Sequence, residues 1–304
     1  MATRGWLIGL LTTALLAGVA GCGGTGGDAG RDGPVTIYVS APLSGERAAE
    51  GRAIIAGAKA ALAEAGGLAG EVKVSAVYLD DTGGGERWDP VATAENAREA
   101  VQDSSAIGFI GDLDSGATRI SLPITNQADM VQISPGASAV DLTRRVSAEL
   151  EPSRYRPSDD QTFARLVPAA DVQQRAEREL AGQVSAPIRP ARSITECRSG
   201  QGTSYVISPA FLPPAGGNGF SGVAFPTWTA YGQAAMTLLL NSIEAAGTRR
   251  DAVVDEVLAS GERDSVLGSF SFTEEGDTTL NRFAVLRLDG CKLTFEREVS
   301  APER

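Results

Sequence analysis

Asp80 and Asp81 stand side by side, Asp112 and Asp114 are two positions apart, and Ser115 follows at once. Paired carboxylates at such spacings can share a proton or ligate a hard cation. A serine that opens a helix places its hydroxyl beside unpaired backbone N–H groups and a positive dipole end, which suits an anion. Further along, Gly136-Ala137-Ser138 joins a position where backbone can approach a ligand closely to a second hydroxyl. The plain alternatives are a helix cap at Ser115, a turn at Gly136 and loop-capping acids at the four aspartates. Histidine is absent from all 304 residues, which removes Ser-His-Asp and Cys-His nucleophiles and His-containing zinc sites. Gly83-Gly84-Gly85 lacks the Lys-Ser/Thr of a phosphate-cradling loop. The inventory favours binding over catalysis, with no cofactor and no metal expected.

Charge and cysteine usage narrow the setting. Thirty-eight acids against 27 bases give a formal charge of −11, a poor match to nucleic acid or to an anionic membrane patch. Arg4, the apolar run from Trp6 to Ala17 and Val19-Ala20-Gly21-Cys22 read as an export signal over residues 1–21. A cysteine at that processing site resembles the bacterial lipobox, whose cysteine becomes an acylated first residue, so Cys22 is the expected lipidation site. Residues 22–33 are Gly-rich without apolar periodicity and fit a tether. The expected location is the outer face of the cytoplasmic membrane. In that oxidising setting Cys197 and Cys291 either bridge or remain isolated thiols, since pairing is not readable from sequence.

The elements that must position these residues alternate. Strands are expected at Val35 to Val39, Val72 to Leu79, Ala106 to Ile110 and Met130 to Ile133. Helices are expected at Ala48 to Ala65, Pro90 to Gln102 and about Ser115 to Asn126. That order means parallel βαβ units and a doubly wound α/β sheet, with ligands beyond the carboxyl ends of the strands. A strand-like crossover at Phe163 to Val167 and a polar helix at about Asp171 to Ala181 follow, then a short strand at Tyr205 to Ser208. Helices at Trp228 to Ala246 and Asp251 to Ser260 precede strands at Gly268 to Phe272, Phe283 to Leu288 and Lys292 to Glu296. Phe225, Trp228 and Tyr231 are read as anchors for a helix start.

Five segments occur in order: Ala41-Pro42-Leu43-Ser44-Gly45, Tyr78-Leu79-Asp80-Asp81, Ile107-Gly108-Phe109-Ile110-Gly111, Ile133-Ser134-Pro135-Gly136-Ala137-Ser138 and Asp141-Leu142-Thr143. Together they resemble the first lobe of the leucine/isoleucine/valine-binding family, which has the type I periplasmic-binding fold. Phe163 to Pro168 and Phe270 to Asp277 resemble its crossover and C-terminal segments. The resemblance implies two α/β lobes that close on an amino acid and deliver it to an ABC permease. It divides residues 34–304 into a first lobe (about 34–150 plus 228–265) and a second (about 160–227 plus parts of 268–304), in a monomer. It also places Ser115 on the ligand carboxylate, and Gly136, Ala137 and Ser138 where a carbonyl and a hydroxyl receive the ammonium and help with the carboxylate.

Two departures bear on function. Only 64 residues separate Phe163 from Trp228, room for at most two βαβ units, so the second lobe is expected to be truncated. Glu50 stands where a tyrosine is often found, and either it pairs the ligand ammonium or the chain is a degenerate paralogue that senses or scaffolds without tight solute binding.

Overall fold

A computed structural model of the chain describes residues 33–189, 202–208 and 227–302. The leader, Cys22, most of the tether, Cys197 and Phe225 lie outside the described residues.

Strand β1 (Val35–Ala41) is buried along its whole length, as an apolar, β-branched run in the middle of a parallel sheet must be. It pairs in parallel with β3 (Val72–Asp80) on one side and β4 (Ala106–Ile110) on the other. β5 (Val131–Ser134) and β6 (Phe163–Arg165) extend the sheet in parallel, and the two-residue β2 (Leu68–Ala69) closes the far edge antiparallel to β3. The resulting order is β2-β3-β1-β4-β5-β6. Strand order therefore reverses at β1, and the crevice of a doubly wound sheet opens beyond the ends of β1 and β4.

Helix α1 (Ala48–Glu64) covers one face of this sheet together with α5 (Thr227–Ala246) and α6 (Arg250–Leu258); Ile54, Ala58, Ala235, Leu239, Ile243 and Val253 share one core with β1, β4 and β5. α1 and α5 cross backbone to backbone: a Cβ on Gly57 would overlap the Thr229 carbonyl, and one on Gly232 would overlap the Ile54 carbonyl. The other face carries α2 (Pro90–Gln102) and α3 (Ser115–Gln127). There Tyr38, Ala100, Phe109 and Met130 form a second core. Asp89 caps α2 by accepting from the Val91 and Ala92 amides at 2.9 Å each, which leaves Pro90 at the helical position where its missing N–H costs least.

Beyond β6 the chain enters a smaller unit. α4 (Ala170–Ala181) packs on a four-stranded sheet of β7 (Ile188–Arg189), β8 (Ser204–Ser208), β9 (Arg282–Asp289) and β10 (Lys292–Ser300), in the order β10-β9-β8-β7. Its core is Ala176, Leu180, Ile207, Phe283 and Val285. Gly268 to Phe272, expected as a strand, makes only isolated bridges, Arg263 to Phe270 and Phe272 to Thr278. Phe270 and Phe272 instead plug the core beneath the first sheet. Cys291, in the β9–β10 turn, is disulfide-bonded, and its partner lies outside the described residues.

Candidate ligand-binding site

At the end of β3, Asp80 organises the loops. Its carboxylate accepts from the Leu43 amide (2.9 Å), the Thr82 amide (3.0 Å) and the Thr82 and Ser44 hydroxyls (2.7 and 3.1 Å). Burial works to raise its pKa, but these four bonds prevail and hold it below the ordinary carboxylate value. Asp80 is thus a loop staple. Asp81 differs: it is fully buried, and neither carboxylate oxygen has a hydrogen-bond partner. Burial, then the nearby Asp112, Asp114 and Asp80, push it up to about 8, with Arg47 partly offsetting. Asp112 is buried also and is pushed up to about 7, mainly by desolvation and against a 2.6 Å bond from the Ser121 hydroxyl. Among the described residues no group of His, Cys, Asp and Glu side chains is placed to hold a metal.

The start of α3, directly after β4, brings a helix N-terminus to the crevice. Asp114, not Ser115, occupies the N-cap position, and its side chain makes no capping bond. Its carboxylate instead accepts from Arg47 Nη1 at 2.7 Å. Ser115 is the first helical residue, and its Oγ accepts from the Ala139 amide at 3.0 Å. The first α-helical bond runs from the Thr118 amide to the Asp114 carbonyl. The Ser115, Gly116 and Ala117 amides therefore precede the helical ladder. The Trp88 ring lies against Gly116, where any Cβ would overlap it.

The loop after β5 meets α3 through that Ser115 bond. Its backbone is heavily engaged: Ser134 Oγ accepts from the Gly136 and Ala137 amides (3.2 and 2.8 Å), and Arg165 donates to the Ala137 and Ala139 carbonyls (3.2 and 2.6 Å). The Ala170 amide donates to the Ser138 carbonyl at 2.7 Å. Gly136 sits so close to Leu113 that a side chain there would overlap it. Among the described residues, the Gly136 carbonyl and the Ser138 amide and hydroxyl keep no assigned hydrogen bond, and both residues are partly exposed.

A cleft of about 230 Å³ opens over this end of the sheet, lined by Pro42, Glu46, Arg47, Glu86, Arg87, Trp88 and Asp114. Arg47 is its central cation. It donates to Glu50 as well as Asp114, and its guanidinium lies 5.9 Å from the Trp228 ring centroid, within cation–π range. Glu50 therefore already has a cationic partner from its own helix. Ser115 and the Gly136–Ser138 loop are brought together through the Ala139–Ser115 bond, but none of Ser115, Gly136, Ala137 and Ser138 lines this cleft. Trp228 packs on the core beside buried Tyr231 while also facing Arg47. Arg47, Trp88 and Arg165 were missed at the sequence level. The Arg47–Glu50 spacing of three on a helix start was the one signal available for them.

No protein-family model matches the chain, and no curated protein matches it. Solved structures do. The chain is similar to an ABC transporter solute-binding protein from R. palustris in complex with 4-hydroxybenzoate (TM-score 0.67, 12% identity, 88% of this chain and 98% of that one). It is also similar to the branched-chain amino acid substrate-binding protein LivJ of Streptococcus pneumoniae in complex with isoleucine (0.61, 15%, 88% and 100%) and to the leucine-binding protein LivK of Thermotoga maritima (0.59, 15%, 88% and 99%). At these identities the likeness establishes the fold: α/β, with a mostly parallel central sheet, of the type I periplasmic-binding kind.

Proposed function

We propose that the chain is an extracytoplasmic solute-binding lipoprotein of the branched-chain amino acid type. It holds a small carboxylate-bearing solute, a branched-chain or similar amino acid, between its two units and delivers it to an ABC permease. The observation that carries the reading is the uncapped first turn of α3: the acid at its N-cap is diverted to Arg47, beside a loop that presents the Gly136 carbonyl and the Ser138 amide and hydroxyl. Helix-end N–H groups suit a carboxylate, and a carbonyl suits an ammonium. The solved structures with isoleucine and 4-hydroxybenzoate, both carboxylate-bearing solutes, support a ligand of this class. The chain acts by binding, not catalysis. Isothermal titration with L-leucine, L-isoleucine, L-valine, benzoate and 4-hydroxybenzoate tests it. Saturable one-to-one heat is expected from at least one solute, with affinity about tenfold weaker in Ser138→Ala, the loss of one hydrogen bond to a charged group. Heats no larger than dilution for the whole panel overturn the reading.

Anchoring rests on Cys22. In Cys22→Ser the protein should leave the membrane fraction and lose incorporation of labelled palmitate; retention of both rejects acylation there.

One observation favours a second reading, a sensor or scaffold. Arg47, which lines the cleft, already pairs with Glu50 and Asp114, so a cation of the chain stands where a ligand ammonium would find its acids. Titration of Arg47→Ala separates the two: tighter binding than wild type identifies Arg47 as an occupant, weaker binding as a ligand contact.

A further inference from the structure

Arg165 is the largest fully buried side chain of the described residues. A guanidinium removed from water needs its donors matched and its charge paired, and every arm of this one is used. Nε donates to Asp277 Oδ1 at 2.6 Å, Nη1 to the Ala139 and Ala137 carbonyls at 2.6 and 3.2 Å, and Nη2 to the Thr143 hydroxyl. Two of these acceptors belong to the loop that carries Gly136 and Ser138, and the same Ala139 gives its amide to Ser115. Arg165 thus lies beneath the loop at the point where the loop meets α3.

The charge does not end there. Asp277 Oδ2 accepts from Arg144 Nε at 2.8 Å, and Arg144 donates twice to Asp171 on the first turn of α4, at 2.6 and 3.1 Å. α4 packs on the second sheet, so an unbroken chain of charged bonds joins the site loop to the second unit. A parallel backbone link runs beside it, from the Ala170 amide to the Ser138 carbonyl.

We propose that Arg165 is a positioning residue for the site: it sets the placement of residues 136–139 over α3, and the Asp277–Arg144–Asp171 chain makes that placement depend on where α4 sits. The proposal rests on the solute-binding reading for its purpose but not for its geometry. When the second unit swings, α4 carries Asp171 with it, and the pull reaches the Ala137 and Ala139 carbonyls through two arginines. Closure of the two units and the shape of the loop are one coupled event.

Arg144→Gln is the informative variant, because it cuts the chain while leaving Asp277 with Arg165 and Asp171 with Arg175, which lies 3.2 Å from it. Asp277→Asn cuts it one link nearer the loop. Arg178→Gln removes a charge from an exposed position of the same helix, one that makes no ion pair among the described residues, and serves as control. Amide hydrogen exchange of the full chain, followed by mass spectrometry, is compared over residues 135–143 and over β1 and β4. Exchange over 135–143 should quicken about tenfold in Asp277→Asn and about threefold in Arg144→Gln, with β1 and β4 unaltered and Arg178→Gln like wild type. No change over 135–143 in either variant overturns the proposal, and so does equal quickening in β1 and β4, which marks general loosening. L-leucine and benzoate are titrated into the same proteins: silence of both with wild type counts against the solute-binding reading, while the exchange comparison still decides the role of Arg165.

Discussion

Asp81 keeps a carboxyl group wholly out of water with no donor on either oxygen, and its neighbours Asp112 and Asp114 are acids too. Such a group holds its proton at neutral pH, and that has a direction for stability. The folded-state value of about 8 lies above the ordinary value of 3.8. The folded chain therefore binds the extra proton between those two points, and the contribution of Asp81 is complete below about pH 4 and lost as pH rises through 8. Thermal unfolding from pH 5 to pH 9 should show a falling midpoint. Asp81→Asn, neutral at every pH, should flatten that fall and stabilise the protein by roughly 1–3 kcal/mol at pH 8.5; an unchanged slope rejects the assignment. Asp112, held at about 7, contributes in the same direction. At this scale the sequence was partly legible: Ser115 marked a helix start, but its reading as the cap fails, because Asp114 holds the N-cap position. That the cap makes no side-chain bond depends on Arg47, 67 residues away, which takes up the Asp114 carboxylate.

Among the elements, those whose own residues dictate both shape and burial were readable. β1 and β4 are apolar runs buried on both faces, and α2 announces itself by Asp89-Pro90. β2 and β7, two residues each, carry too short a pattern to read. Gly268 to Phe272 has the composition of a strand, yet Phe270 and Phe272 stack edge to face at 5.3 Å inside the core and take the segment off any ladder. Tertiary packing overrides local propensity there. The α1–α5 crossing was equally hidden, because Gly57 and Gly232 matter only when the two helices touch. Its energetic test is Gly232→Ala, which inserts a methyl against the Ile54 carbonyl. Helix propensity alone would gain about 1 kcal/mol, but overpacking costs roughly 1–3 kcal/mol, so net destabilisation is expected in urea unfolding. A more stable variant would contradict the close crossing.

For the molecule as a whole, the division into a large and a small α/β unit follows from where chain segments cross. Residues near 166–169 leave the first sheet for α4, and Asp277 bridges back to Arg165 before β9 begins. The fold class and the loops that flank the crevice were legible because strand-end loops in a doubly wound sheet have fixed places. The cleft lining was not: Trp88 comes to the α3 start from a Gly-rich loop, and Arg47 faces Trp228 from a helix more than 180 residues distant in sequence, contacts that no local pattern encodes.

In the proposed mode of binding, the first turn of α3 and the Gly136–Ser138 loop hold a carboxylate. Amide chemical shifts of the isotopically labelled chain, followed while L-leucine or 4-hydroxybenzoate is added, report on those groups one by one. Saturable shifts are expected at Ser115, Gly116 and Ser138 at the same solute concentration, with β10 unmoved. A solute that gives binding heat yet leaves those three amides where they were would place the ligand elsewhere and contradict that mode of binding.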